Sequence, residues 1–249
     1  GATESNNIAL QGLKEYAEKT GKKHIITTSI EHKSILETAK YMELNGYEVD
    51  FIDPNKSGQI SIEEVLEKLR EDTLLVSIMH VNNETGVIQP VLELGEEIQK
   101  RGILFHIDAT QSCGKLVEEI RNLKYDMLSF SAHKLMGPQG VGALILKRKL
   151  YKRPPIKGIM YGGQQEQGIR PGTIPVALVV GCGKACEIAE HEYKENERHS
   201  LQIKEAILFV LEESGLKYQI NGNQDVCVSS TLNIAIDGVS SEALMISSK

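Results

Sequence analysis

The chain has 249 residues, 41% of them hydrophobic and 25% charged, which is enough to fill one large α/β core and part of a second unit. A net charge of -6 and a pI near 5.7, with no basic stripe, argue against a nucleic-acid surface as its main business. No apolar run reaches membrane-spanning length, and GATESNN has neither the basic start nor the apolar middle of a signal peptide, so a cytoplasmic setting is the default.

Helical and strand periods alternate along the chain. Ile8, Leu10, Leu13 and Tyr16 fit an amphipathic helix after Thr3. HIITTSI (24 to 30) reads as a strand, Ile35, Ala39 and Met42 as one face of a helix, and YEVDFID (47 to 53) as a second strand. Ser61 and Glu64 have capping-box spacing ahead of Val65 and Leu69; LLVSIMHV (74 to 81) is a continuous buried strand, and 92 to 100 is helical. ILFHIDA (103 to 109), DMLSFSA (126 to 132) and VGALILKR (141 to 148) complete the set of strands, with a buried helix expected to start near Cys113. Such alternation predicts an α/β fold with a largely parallel sheet between helices and a ligand site at the carboxyl ends of the strands. After Pro175 a long helical run with a solvated charged middle, EHEYKENERH, leads to a last strand, TLNIAID (231 to 237), and the start of another helix, SSEALMISSK. The division expected is a large domain over 1–193 and part of a smaller one over 194–249.

Several apparent motifs are weak in context. DPNKSGQISIEE (53 to 64) places Asp53, Asn55, Ser57, Gly58 and Glu64 as a calcium loop does, but a strand rather than a helix enters it. GPQGVG (137 to 142) resembles a phosphate loop, yet a strand follows and no Lys-Ser/Thr pair closes it. His106 and Asp108 share a strand face; a satisfied structural histidine beside a functional aspartate is the preferred reading. Cys113, Cys182, Cys186 and Cys227 form no CxxC pair, so they read as reduced thiols rather than a disulfide frame or zinc site, and no metal is expected.

The polar residues at the strand ends make a more coherent set. His32, Asn83, Asp108 with Gln111, and Ser131 with His133 and Lys134 each follow one of four strands. Pyridoxal phosphate chemistry needs this assortment: a lysine to form a Schiff base, and a carboxylate to keep the ring nitrogen protonated. Lys134 and Asp108 fit those roles, Gln111 the ring hydroxyl, and His32 a ring-stacking position. Thr3 at a helix N-terminus, with Ser131 and His133, suits the phosphate.

HVNNETG (80 to 86), DATQS (108 to 112), SFSAHKLMGPQG (129 to 140) and RPGT (170 to 173), with GATESNN in front, resemble the cysteine desulfurases of the nitrogen-fixation and iron-sulfur-assembly group. The resemblance implies a type I PLP-dependent transferase fold with part of a small α+β C-terminal domain, a homodimer, and conversion of L-cysteine to L-alanine. Sulfur would leave as a persulfide for an acceptor protein, such as an iron-sulfur scaffold or a tRNA-thiolation partner. Carried over position by position, Ala2 and Thr3 hold the phosphate, His32 stacks on the ring, and Asn83, Asp108 and Gln111 contact it. Ser131 and His133 add phosphate contacts, Lys134 is the Schiff-base lysine, and Thr173 reaches the phosphate of the neighbouring subunit, with Arg170 beside it in an anion role. Lys134 and His32 are the catalytic pair. The family's nucleophilic cysteine belongs to a loop after SEALM, beyond Lys249, so the chain reads as a piece of a longer polypeptide that holds cofactor without making persulfide. Another PLP lyase or aminotransferase of the same fold, or a scaffold without cofactor, are the alternatives.

Overall fold

The computed structural model describes residues 1–247. In chain order the elements are α1 (Ala2–Gln11), α2 (Lys14–Thr20), β1 (His24–Thr28), α3 (Lys33–Leu44), β2 (Glu48–Ile52), α4 (Ile62–Glu67), β3 (Thr73–Met79) and α5 (Val91–Lys100). They continue with β4 (Leu104–Asp108), α6 (Val117–Asn122), β5 (Met127–Ser131), β6 (Gly142–Leu146), α7 (Val176–Glu213), β7 (Tyr218–Ile220), β8 (Ile234–Ile236) and α8 (Ser241–Ser247). The expected last helix thus begins as read, and its final two residues lie outside the described ones.

Six strands form one sheet in the order β2-β1-β3-β4-β5-β6, with only β6 antiparallel, and β7 pairs with β8 separately. Successive strand residues face opposite sides, and each side has its own core. Ile25, Leu75 and Met127 pack with Leu10, Leu13, Ile35, Ala39 and Met42 of the helices on one face. Ile26, Val76, Phe105 and Leu128 pack with Val91, Leu94, Ile98 and Cys182 on the other. Helices on both faces of a mainly parallel sheet make this the type I fold expected from the sequence.

Local differences from the sequence reading have identifiable causes. The first apolar stripe is two helices, because the Gly12 carbonyl accepts from Lys157 N–H (2.9 Å) and a side chain at Gly12 would strike the Lys157 carbonyl. No helix starts at Cys113; Gly114 takes the left-handed φ of 79°, and residues 110–115 form turns before α6. Ser61 Oγ caps α4 by accepting from Glu64 N–H (3.1 Å), but its hydroxyl donates to Glu63, so only half of the capping box forms. In the calcium-like loop, Asn55 Oδ1 accepts from Ser57 N–H and Asp53 Oδ1 from the Ser29 hydroxyl, and the described residues hold no metal-ligating cluster.

α7 runs unbroken across residue 193. Cys182 and Ala185 seat its first half on the sheet, and residues of EHEYKENERH are mostly exposed, as their charge requires. Among the described residues no helix is long and apolar enough to cross a membrane.

Candidate active site

The carboxyl ends of β1, β3, β4 and β5, neighbours in the sheet, open onto a cavity of about 840 Å³. Ala2, Thr3, His32, Asn83, Asp108, Gln111, Ser131, His133 and Lys134 all line it. Nine residues spread over 133 positions are thus brought to one hollow, and Thr173, exposed on its loop, is not among its walls.

The floor is built around Asp108, which is 5% exposed at the end of β4. Its Oδ1 accepts from Thr110 N–H (2.9 Å) and its Oδ2 from the Asn6 side-chain amide (2.7 Å). Two residues earlier on the same face, His106 is buried between hydroxyls: Ser77 Oγ lies 2.9 Å from Nδ1 and Ser129 Oγ 2.9 Å from Nε2. Burial pushes its pKa down to about 4, so it is a neutral structural group rather than a ligand or base.

One end of the cavity has the chemistry of an anion seat. The N-terminus of the ten-residue α1 points into it. The Ser131 hydroxyl lies so close that a Cβ added to Gly1 would be 3.0 Å from it. A Cβ on Gly142 would strike the Phe130 carbonyl and come within 2.9 Å of Gly1 Cα, so β6 carries glycine where the helix start crosses it. Ser131 Oγ also pairs with His133 Nδ1 at 3.0 Å. Free N–H groups, helix dipole and hydroxyl together favour a phosphate.

Lys134 stands in a 3-10 turn, Ala132–Leu135, directly after β5. The turn closes with the Gly137 N–H donating to the Ala132 carbonyl (2.9 Å), after Met136 takes a left-handed φ of 62°. The left-handed backbone here falls on Met136 and on Gly140 (φ 85°). Beside it, Gln111 Oε1 accepts from Lys115 Nζ (3.3 Å), which holds the glutamine at the rim. His32 serves as the N-cap of α3, its Nδ1 accepting from Ser34 N–H (3.1 Å).

The donor set fits pyridoxal phosphate: an amine for the aldehyde, a buried carboxylate for the ring nitrogen, an aromatic side chain on the wall and a helix N-terminus with a hydroxyl for the phosphate. Thr110 supplies an independent sign, since it lines the cavity and its buried Oγ1 has no hydrogen-bond partner in the chain.

Thr110, Asn6, Ser34 and Glu31 were not singled out in the sequence. Asn6 is fully buried on the inner side of α1, and a polar residue within an apolar helical stripe was the available signal. Glu31 Oε1 accepts from the Thr28 hydroxyl (2.9 Å) and Met79 N–H (2.8 Å), tying the loop before His32 to the end of β3. Burial, reinforced by Asp108, pushes its pKa up to about 8. Arg170 Nε pairs with Glu4 Oε1 (2.8 Å) at the cavity edge.

Three of the four thiols are held above the ordinary thiol range. Burial among Cys186 and Cys182 pushes Cys113 up to about 12, burial also raises Cys186 and Cys227, and the Cys227 thiol donates to the Thr85 carbonyl (3.2 Å).

Comparisons with known proteins agree with this geometry. The aminotransferase class-V family model matches residues 1–247. A cysteine desulfurase IscS from Vibrio vulnificus (strain YJ016) is 42% identical over the whole chain, which spans 61% of that relative's length. The crystal structure of DndA from Streptomyces lividans superposes with a TM-score of 0.93 at 46% identity, covering 99% of this chain and 69% of that one. SspA in complex with cysteine superposes with a TM-score of 0.81 at 35% identity, covering 100% of this chain and 68% of that one. A match that runs from the anion seat at residue 1 through the lysine turn and on to residue 247 places the chain in the class-V aminotransferase family, whose members depend on pyridoxal phosphate.

Proposed function

We propose that this chain is the cofactor-binding part of a cysteine desulfurase, which converts L-cysteine to L-alanine and passes the sulfur to an acceptor. The observation that carries the reading is the placing of Lys134, Asp108 and the α1 anion seat around one cavity, in a chain similar to cysteine desulfurases and to a protein solved with cysteine.

Pyridoxal phosphate, when bound, supplies an aldehyde for an amine and a ring that withdraws electrons from it. The chain's residues do the rest. Thr3, Ser131 and His133 hold the phosphate, with the Ala2 backbone at the start of α1. Asp108 would keep a ring nitrogen protonated, Gln111 and Asn83 would contact the ring, and His32 would stack on it. Lys134 Nζ would hold the aldehyde, and as an amine at the cavity wall it would serve as the base for the substrate's α-proton.

The sulfur-accepting thiol comes from outside the four cysteines present, since each is raised by burial, buried, or held by a backbone carbonyl. A homodimer in which Thr173 reaches the neighbouring cofactor's phosphate belongs to the same proposal, as do a protein sulfur acceptor and a cytoplasmic setting.

The test is the visible spectrum of the protein loaded with pyridoxal phosphate, followed as amino acids are added. L-cysteine is expected to change it at lower concentration than L-serine or L-aspartate, while this chain alone releases no sulfide. A response to L-aspartate with none to L-cysteine would favour an aminotransferase, and sustained sulfide release would refute the statement about the thiol.

A further inference from the structure

A directional hydrogen-bond chain links two residues that line the proposed cofactor cavity, His32 and Asp108. Asn6 is fully buried, and its Nδ2 donates to Asp108 Oδ2 (2.7 Å) and to Ser34 Oγ (2.9 Å). Ser34 Oγ lies 2.8 Å from His32 Nδ1, and the Ser34 N–H donates to that same nitrogen at 3.1 Å.

Each bond fixes the direction of the next. A carboxylate offers acceptors only, so the Asn6 amide must turn its NH2 toward Asp108. That same NH2 occupies a lone pair of the Ser34 hydroxyl, whose proton is then left to point at His32 Nδ1. Backbone and hydroxyl donors converge on Nδ1, which must therefore be bare, and the ring's proton sits on Nε2. The arrangement leaves Asn6 Oδ1 buried without a partner in the chain.

We propose that Asn6 and Ser34 are positioning residues that hold His32 in its neutral tautomer with a bare Nδ1 and couple that choice to Asp108. The proposal rests on reading the cavity as a pyridoxal phosphate site, with His32 on the ring face and Asp108 at the ring nitrogen. Its consequence is chemical: the free edge of His32 is an N–H donor, suited to an anionic group of the bound amino acid rather than to taking a proton from it.

Long-range proton–nitrogen NMR of histidine-labelled protein, with and without pyridoxal phosphate, tests this. His32 is expected to show a bare-nitrogen shift at Nδ1 and a protonated one at Nε2 in both states; the opposite tautomer or an even mixture overturns the proposal. Asp108→Asn frees the Asn6 amide to turn, because an amide at this position both donates and accepts, and is expected to move the His32 Nδ1 resonance. In an Asn6→Leu background the same change is expected to leave that resonance in place, and an equal response in both backgrounds overturns the coupling. Should Asn6→Leu fail to fold, Ser34→Ala cuts the chain at its next link, keeps the bond from Asn6 to Asp108, and is read in the same way. A missing cofactor band with the coupling intact would refute the cofactor reading alone, whereas a normal band without coupling would refute this proposal alone.

Discussion

Glu31 is a carboxyl with one oxygen satisfied twice and the other, Oε2, buried and unpartnered. Its folded pKa is pushed up to about 8 from an ordinary 4.5. Below 4.5 the folded and unfolded chains both carry the proton; above it only the folded chain does, so this group's stabilising contribution declines as pH rises toward 8. Glu31→Gln keeps the acceptor for Thr28 and Met79 and removes the titration. Its urea midpoint is expected to vary less than the wild type's between pH 4.5 and 8, and equal slopes would contradict the assignment. His106 shows a second buried polar economy, since His106→Leu leaves the Ser77 and Ser129 hydroxyls without their shared partner. A loss of about 1–3 kcal/mol for each hydroxyl left unsatisfied is expected in chemical denaturation. At this scale the sequence showed residue types at strand ends, and the fold brings Lys134, Asp108 and His32 to the wall of one cavity. The sequence did not show Glu31, Asn6 or Thr110, because their importance lies in what burial leaves unpaired.

At the scale of elements, the strands were legible because their apolar runs span two cores at once. Each was read one to four residues longer than it is, as with 24 to 30 against His24–Thr28, where Ser29 and Ile30 continue the pattern beyond the paired residues. The break at Gly12 and the turns around Gly114 were not legible, since one depends on a distant loop and the other on a left-handed φ. The seating of α1 on β6 is the element contact that most concerns the site. Gly142→Ala drives a methyl into the Phe130 carbonyl and toward Gly1. It is expected to destabilise the fold by about 1–3 kcal/mol and to weaken pyridoxal phosphate binding, read by fluorescence titration. Gly183, within α7, has open space where a Cβ would go. Gly183→Ala is expected to stabilise by about 0.5–1 kcal/mol through helix propensity, with cofactor affinity unchanged.

Across the whole molecule, a sheet with helices on both faces gathers residues from Gly1 to Ile159 into one cavity, and family membership was legible from the motifs HVNNETG, DATQS, SFSAHKLMGPQG and RPGT in the sequence. The thiols divide from this machinery: Cys113 at about 12 is expected to be alkylated slowly at neutral pH in the folded protein and quickly once unfolded. The central claim is that Lys134 is the attachment point for pyridoxal phosphate in that cavity. It is tested most directly by incubating the protein with pyridoxal phosphate, reducing with borohydride, and mapping the modified peptides by mass spectrometry. A single phosphopyridoxyl group on the peptide containing Lys134, absent in Lys134→Ala, is the expected result. Modification spread over surface lysines, or persisting at full yield in Lys134→Ala, would contradict it.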